Sequence, residues 1–380
     1  MECKFLKHGI AIDYQQIVKP CCNWQITPKW RTENFVGRVN LSNWHQTKEV
    51  QVFVEQLDNN QWPGPCSTCQ RIESMGRFDS MRGNGNQAYS HYDVNDLTLE
   101  IRPGNVCNFA CQTCWPEASS RVKQYQIQAG IIHDSAKDPN RIDNFNYLLP
   151  VVHRIKNVIL LGGEPFYDKN CLNFLHWAEK NLNAELTIFT NGSAIDYDFI
   201  NNYTGSLNIV FSLDAAGKAA EYIRYGTEWT RVIDNYLKIR NIRKVGVRVN
   251  VTCSVYNYME IANLFSILKS DWPDIITFGD PHQPWLRESV IPVEFRNSII
   301  ESLQNAIEIL HSVDIEKDQQ SNATNAIQAI INNLFTLSWS SELHNKFCNF
   351  VSAMDTVKKI SIAEYVSSVA KILSYQPNQI

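Results

Sequence analysis

The sequence predicts an α/β fold in which strand–helix units repeat around a parallel sheet, with a cysteine-rich stretch before them and a helical one after. Three observations lead there. Between residues 95 and 280, short apolar runs of strand length alternate with longer helical stretches, which is the pattern of βα units. Turn or cap residues close several of those runs directly, as in Gly162-Gly163, Thr190-Asn191-Gly192 and Ser212-Leu213-Asp214. From residue 285 onward the apolar positions fall at helical spacing instead, with Ile299, Leu303, Ile307 and Leu310 on one stripe.

Taken in order, residues 1–92 are rich in Trp, Asn and Gly and read as largely irregular apart from a helical stretch at Trp44–Leu57. Strands are expected at 97–102, 157–161, 185–190, 207–213, 246–252 and 275–279, with helices between them, among them Tyr167–Asn181 and Glu228–Ile242. Alternation sorts the fifth strand: Arg248, Asn250 and Thr252 share one face, and Val247, Val249, Val251 and Cys253 the other. A polar inner face suits a polar ligand. Cys253 then reads as core, as do Cys171 and Cys348 in their apolar helical settings. Asp318–Asn325 reads as a polar linker. Three regions result: 1–92, 93–283 and 284–380.

A chain of 380 residues can bury a large core and form one big domain with a smaller one. The start, Met1-Glu-Cys-Lys-Phe5, lacks a basic-then-apolar signal pattern, and no apolar run approaches the ~18 residues of a membrane span. A soluble, cytoplasmic protein is the expectation. Eleven cysteines in such a chain point to thiolate ligands rather than disulfides. The net charge of -4 provides no basic field, so nucleic acid is not an expected partner.

Cys107-Asn-Phe-Ala-Cys111-Gln-Thr-Cys114 places three thiolates on the loop after the first strand of the repeat, with no obvious fourth. An iron–sulfur cube closed by four cysteines passes electrons, whereas one held by three leaves an iron open to a substrate or cofactor. The spacing by itself also admits part of a zinc site. Each later motif has an ordinary reading as well: Gly162-Gly163 as a strand-ending turn, Thr190-Asn191-Gly192 as a turn, Asp214 as a helix cap. Their order at the ends of successive strands is what makes them more than turns, because active sites of βα barrels gather at those ends.

With the cysteine triplet, Gly162-Gly163-Glu164-Pro165, Thr190-Asn191-Gly192 and Ser212-Leu213-Asp214 in this order, residues 95–280 resemble the radical S-adenosylmethionine (SAM) enzymes, and within them the twitch/SPASM-type branch. The resemblance implies a partial (β/α)6 barrel. It also implies that SAM chelates the open iron of a [4Fe-4S] cluster on Cys107, Cys111 and Cys114 and is cleaved to methionine and a 5'-deoxyadenosyl radical. Gly162 and Gly163 would admit the methionyl group closely, Glu164 would accept from its amine, and Pro165 would stiffen the turn. Thr190 and Asn191 join the cofactor-binding set, Ser212 and Asp214 would meet ribose hydroxyls or the carboxylate, and Arg224 would pair with the carboxylate, the alternative being a solvated charge near Glu221. The family usually carries a bulky apolar residue just before the third cysteine, where this chain has Thr113; Trp115 or Phe109 takes over that packing, or adenine is held differently.

Residues 1–92 carry a second constellation. Cys66 and Cys69 form a C-x2-C half-site for zinc or iron, and the stretch from Cys66 through Gly76 to Arg82 resembles the end of a twitch half-domain, placed here before the barrel. The ligand set is Cys3, Cys21, Cys66 and Cys69, with Cys22 as the alternate for Cys21; the resemblance favours an auxiliary [4Fe-4S] cluster over zinc. The expected activity is that of a radical SAM oxidoreductase or modifying enzyme acting on a peptide or protein side chain, with an external electron donor such as flavodoxin or ferredoxin. The alternatives are a small metabolite, sugar or nucleoside as substrate, and a catalytically inactive iron–sulfur or zinc scaffold, against which the intact GGEP sequence argues.

Overall fold

The structure, a computed structural model, describes residues 1–74, 80–133 and 144–375. It is a mixed α/β fold. Its strands are β1 (Gly9–Ile12), β2 (Val18–Lys19), β3 (Leu97–Ile101), β4 (Ile155–Leu160), β5 (Glu185–Thr190), β6 (Leu207–Ser212), β7 (Val245–Thr252) and β8 (Ile275–Gly279), and they form one sheet in the order β2-β1-β3-β4-β5-β6-β7-β8. The ladders β1–β3, β3–β4, β4–β5 and β7–β8 are parallel. All six expected strands are present within two residues of their expected bounds. β1 and β2 were not expected. β1 lies parallel to β3 with Ile12 opposite Ile101, and β2 adds antiparallel to β1. Four residues buried on both faces carry no alternation by which a sequence reading could find them.

Contacts divide the chain into two compact units. The first comprises Met1–Asn105, Lys137–Ile188 and Asp196–Leu207. Its core holds Leu97, Leu99, Ile101, Val158 and Leu160, each nearly or fully buried. The helix Lys169–Asn181 starts where Asp168 accepts a hydrogen bond from the Asn170 N–H at 2.9 Å, a side-chain N-cap, and it buries Cys171, Phe174 and Leu175.

The second unit comprises Val106–Ala136, Phe189–Ile195 and Asn208–Ile380. In β7 the alternation is as expected, with Val247, Val249 and Val251 fully buried and Arg248, Asn250 and Thr252 half-buried. Cys253 is buried too. The C-terminal part is helical at Val293–His311, Lys317–Thr336, Ser341–Lys358, Ile362–Tyr365 and Ser367–Leu373. The expected linker at Asp318–Asn325 is instead the first part of a 20-residue helix. Its polar residues belong to the outer side of an amphipathic helix whose other side buries Ala323, Ile327, Ile330, Ile331 and Leu334. Cys348 is half-buried rather than core, with Sγ 3.5 Å from His344 Nε2. Among the described residues, no helix is long and apolar enough to cross a membrane.

Candidate active site in the cysteine loop

The loop carrying Cys107, Cys111 and Cys114 lies in the second unit and is pinned by the backbone of a neighbouring segment. Ala110 N–H donates to Tyr225 O at 2.8 Å, and Gln112 N–H donates to Ile223 O at 2.7 Å. Remote side chains hold its carbonyls: Ser119 Oγ donates to Phe109 O at 3.2 Å, Gln283 Nε2 to Cys114 O at 3.0 Å, and Lys358 Nζ to Ala110 O at 2.8 Å. Phe109, Ala110, Gln112 and Thr113 are buried, while the three cysteines are only half-buried. The loop is therefore anchored by the residues between its thiols. Gly226 lies close behind it at φ +108, where a Cβ would come within 3.1 Å of Asn108 O and the Phe109 ring.

Hydrogen-bond donors gather on the sulfurs. Phe109 N–H donates to Cys107 Sγ at 3.4 Å, Asn191 Nδ2 lies 4.0 Å from the same sulfur, and Arg224 Nη1 lies 3.9 Å from Cys111 Sγ. Donors around thiolates stabilise their charge and tune a metal group bound to them. Burial pushes the Cys111 thiol above its ordinary range, and the Arg224 charge works against that shift.

Of the residues expected to meet the cofactor, several in this unit already have protein partners. Asn191 donates to Asn108 Oδ1 at 2.9 Å and accepts from Ser193 N–H and Oγ at 2.9 and 2.6 Å; Asn108 Nδ2 donates to Ser193 Oγ at 2.8 Å. Thr190 Oγ1 accepts from Gly192 N–H at 3.0 Å in a turn that needs Gly192 at φ +76. Ser212 closes β6 half-buried. Asp214, fully buried, accepts from Thr252 N–H at 2.7 Å and stands 2.9 Å from Arg224 Nη2. Arg224 is buried against that carboxylate, not solvated near Glu221, whose carboxylate accepts from Trp229 N–H at 3.2 Å. Burial alone would weaken the Arg224 charge; Asp214 and then Cys111 outweigh it and push its pKa up. Phe109 is only 1% exposed, leaving Trp115 as the half-exposed ring beside Thr113, edge-on to His282 at 4.2 Å.

In the first unit, Gly162 and Gly163 follow β4 half-buried, and Glu164 is 1% exposed. Glu164 Oε1 accepts from Phe166 N–H at 3.2 Å, and its carbonyl accepts from Tyr167 and Asp168 N–H. Gly162 has a packing reason of its own, since a Cβ there would stand 2.8 Å from Cys171 Sγ. That contact also accounts for a small side chain at position 171.

The N-terminal cysteines of this unit converge. Cys3, Cys21, Cys66 and Cys69 line one small pocket, partly open to solvent, together with Trp24, Trp62 and Arg82. Cys22 does not line it; its Sγ lies 3.9 Å from Asn23 Oδ1. Burial pushes the Cys66 thiol up to about 12 and raises Cys3, Cys21 and Cys69 as well. Arg82, held by Glu73 and by Glu2 O, opposes the shift at Cys3 and Cys66. Gly76, named with this stretch above, lies outside the described residues. Among the described residues, no three His, Cys, Asp or Glu side chains are gathered tightly enough to hold a single metal ion.

Sequence reasoning missed Asn108, Gln283 and Lys358. Asn108 was legible by its place inside the triplet; the other two reach the loop from more than 160 residues away in sequence, and no local pattern marks them.

No protein-family model and no curated protein matches the chain. Among solved structures it is similar to Streptococcus suis SuiB, at 16% identity and TM-score 0.38 over 71% of this chain and 60% of that one. It is similar to anSMEcpe with bound AdoMet and a Cp18Cys peptide, at 14% identity and TM-score 0.36 over 57% of this chain and 60% of that one. It is also similar to TYW1 with a lysine–pyruvate adduct bound, at 13% identity and TM-score 0.39 over 72% of this chain and 94% of that one. The chain thus spans about three fifths of the length of the first two.

Proposed function

We propose that the chain is a radical SAM enzyme that generates a 5'-deoxyadenosyl radical and uses it to modify a peptide or protein side chain. The observation that carries this reading is the loop of Cys107, Cys111 and Cys114: three half-buried cysteines on a fixed backbone after a parallel strand, with donors from Asn191, Arg224 and Phe109 N–H on the sulfurs of Cys107 and Cys111. That donor set fits a three-thiolate [4Fe-4S] cube. When bound, such a group supplies the electron that splits the sulfonium of SAM.

The surrounding residues have assignable work. Arg224 neutralises the thiolate side of the loop and is itself fixed by Asp214. Asn191 and Asn108 hold the turn after β5 against the loop. Glu164, buried at the end of β4, is an acceptor for the SAM ammonium, and Ser212 for its ribose. Trp115 stands in for the missing bulky residue at Thr113 as the packing surface for adenine. The half-buried Arg248, Asn250 and Thr252 face suits a polar substrate.

Residues 1–92 are read as a twitch-like module with an auxiliary cluster on Cys3, Cys21, Cys66 and Cys69. All four cysteines line one pocket, which suits thiolate ligation, and the resemblance of this stretch to a twitch half-domain is what favours a cube over zinc. A closed cube relays electrons, which would fit an oxidative modification in which it takes up the electron leaving the substrate while an external donor such as flavodoxin or ferredoxin reduces the group on Cys107, Cys111 and Cys114; a cytoplasmic setting would keep the thiol ligands reduced. The test is anaerobic: the reduced, reconstituted chain should convert SAM to 5'-deoxyadenosine, and a screen of candidate peptides against small metabolites should show faster turnover with a peptide.

A further inference from the structure

Of the C-terminal helices, one ends on the cysteine loop. Lys358 is the last residue of the helix Ser341–Lys358 and is 3% exposed. Its Nζ donates to Ala110 O at 2.8 Å, one residue before Cys111, and stands 5.1 Å over the Tyr225 ring and 5.9 Å over Tyr125. Tyr225 closes the arrangement by donating its hydroxyl to Lys358 O at 3.0 Å, and its own carbonyl accepts from Ala110 N–H. A buried ammonium is costly unless an anion faces it. Burial pulls its pKa down to about 7; the groups that favour its charge are Cys111 first and Asp355 second, with Arg121 opposing.

We propose that Lys358 is a positioning residue for the cysteine loop: it fixes the Ala110–Cys111 backbone and offsets the negative charge of the metal–thiolate group formed there, making that group easier to reduce. This rests on the radical SAM reading above. Net charge and nearby donors are among the factors that set the potentials of such groups.

The test compares the full-length chain with Lys358→Met, Lys358→Gln and Lys358→Arg, reconstituted anaerobically, by iron content and by a redox titration of the SAM-responsive electron paramagnetic resonance signal. Lys358→Met and Lys358→Gln should shift the midpoint to more negative potential or lose the loop's share of iron while circular dichroism shows a folded chain, and Lys358→Arg should restore it. Either neutral variant keeping both wild-type iron and wild-type midpoint overturns the proposal. A wild type with no SAM-responsive signal would overturn the radical SAM reading itself, a distinct result.

Discussion

The Asp214–Arg224 pair allows the sharpest energetic prediction. Asp214 is fully buried, the Arg224 side chain is 12% exposed, and the charged atoms are 2.9 Å apart, so solvent screens them little. Removing one partner of a buried pair leaves an uncompensated charge at a cost of about 3–5 kcal/mol. Asp214→Asn keeps an oxygen for the Thr252 N–H, so the lower end applies, about 3 kcal/mol; Arg224→Met should cost about the same. At roughly 2–4 °C per kcal/mol for a unit of this size, each substitution should lower the melting temperature by about 6–12 °C. The double variant leaves neither charge behind. Its cost should fall short of the sum of the single ones by about 2 kcal/mol or more. Urea and thermal unfolding of the cluster-free chain, followed by circular dichroism, gives all three values. Additive costs would refute the pairing and return Arg224 to the role of a free guanidinium awaiting the SAM carboxylate.

Three further outcomes are expected. Glu164→Ala should weaken SAM binding about tenfold or more, the loss of a charge-assisted bond of roughly 1.5–3 kcal/mol, with cluster absorbance intact in an anaerobic titration; unchanged affinity would leave Glu164 as a turn residue bonded to Phe166 N–H. The wild type should bind about eight irons per chain, and the Cys107, Cys111 and Cys114 triple Ala variant about half of that, with a signal unaffected by SAM; zinc, or no metal, in that variant would remove the auxiliary cluster from the account. His45 is buried with Nε2 2.8 Å from Gly9 O, and burial lowers its pKa to about 4. Because the folded value lies below the unfolded one, this contribution is complete above about pH 6.5 and is lost as pH falls toward 4, so lowering the pH from 7 to 4.5 should cost the wild type about 2–3 kcal/mol more than His45→Gln in urea unfolding; equal losses would contradict a buried neutral imidazole.

How much of this was visible in the sequence depended on whether the signal was local. The strands from β3 to β8 could be read because apolar residues and closing turns sit side by side in the chain. β1 and β2, four and two residues long, offered no period to detect. Asp318–Asn325 has the composition of a linker, but its polar residues face outward on a helix whose apolar stripe continues to Leu334. The cysteine loop was legible for the same local reason, and so was the C-x2-C knuckle of Cys66 and Cys69. What encloses them was not. That Arg224 is committed to Asp214, that Lys358 is seated under Ala110, and that Cys21 rather than Cys22 faces the N-terminal cavity are consequences of packing between distant segments. Gly162 shows the limit from the other side, because a glycine that suits close approach of a ligand also answers to Cys171 behind it.

The central claim is that three thiolates of one loop hold a group that splits SAM. Its most direct test is 5'-deoxyadenosine formation by the anaerobically reconstituted, dithionite-reduced chain, beside the single Ala variants of Cys107, Cys111 and Cys114 and the triple variant. Slow formation in the wild type even without substrate, and none in any variant, is the predicted result. Turnover that survives in the triple variant, or a wild type that is fully loaded with iron and leaves SAM intact, would contradict it.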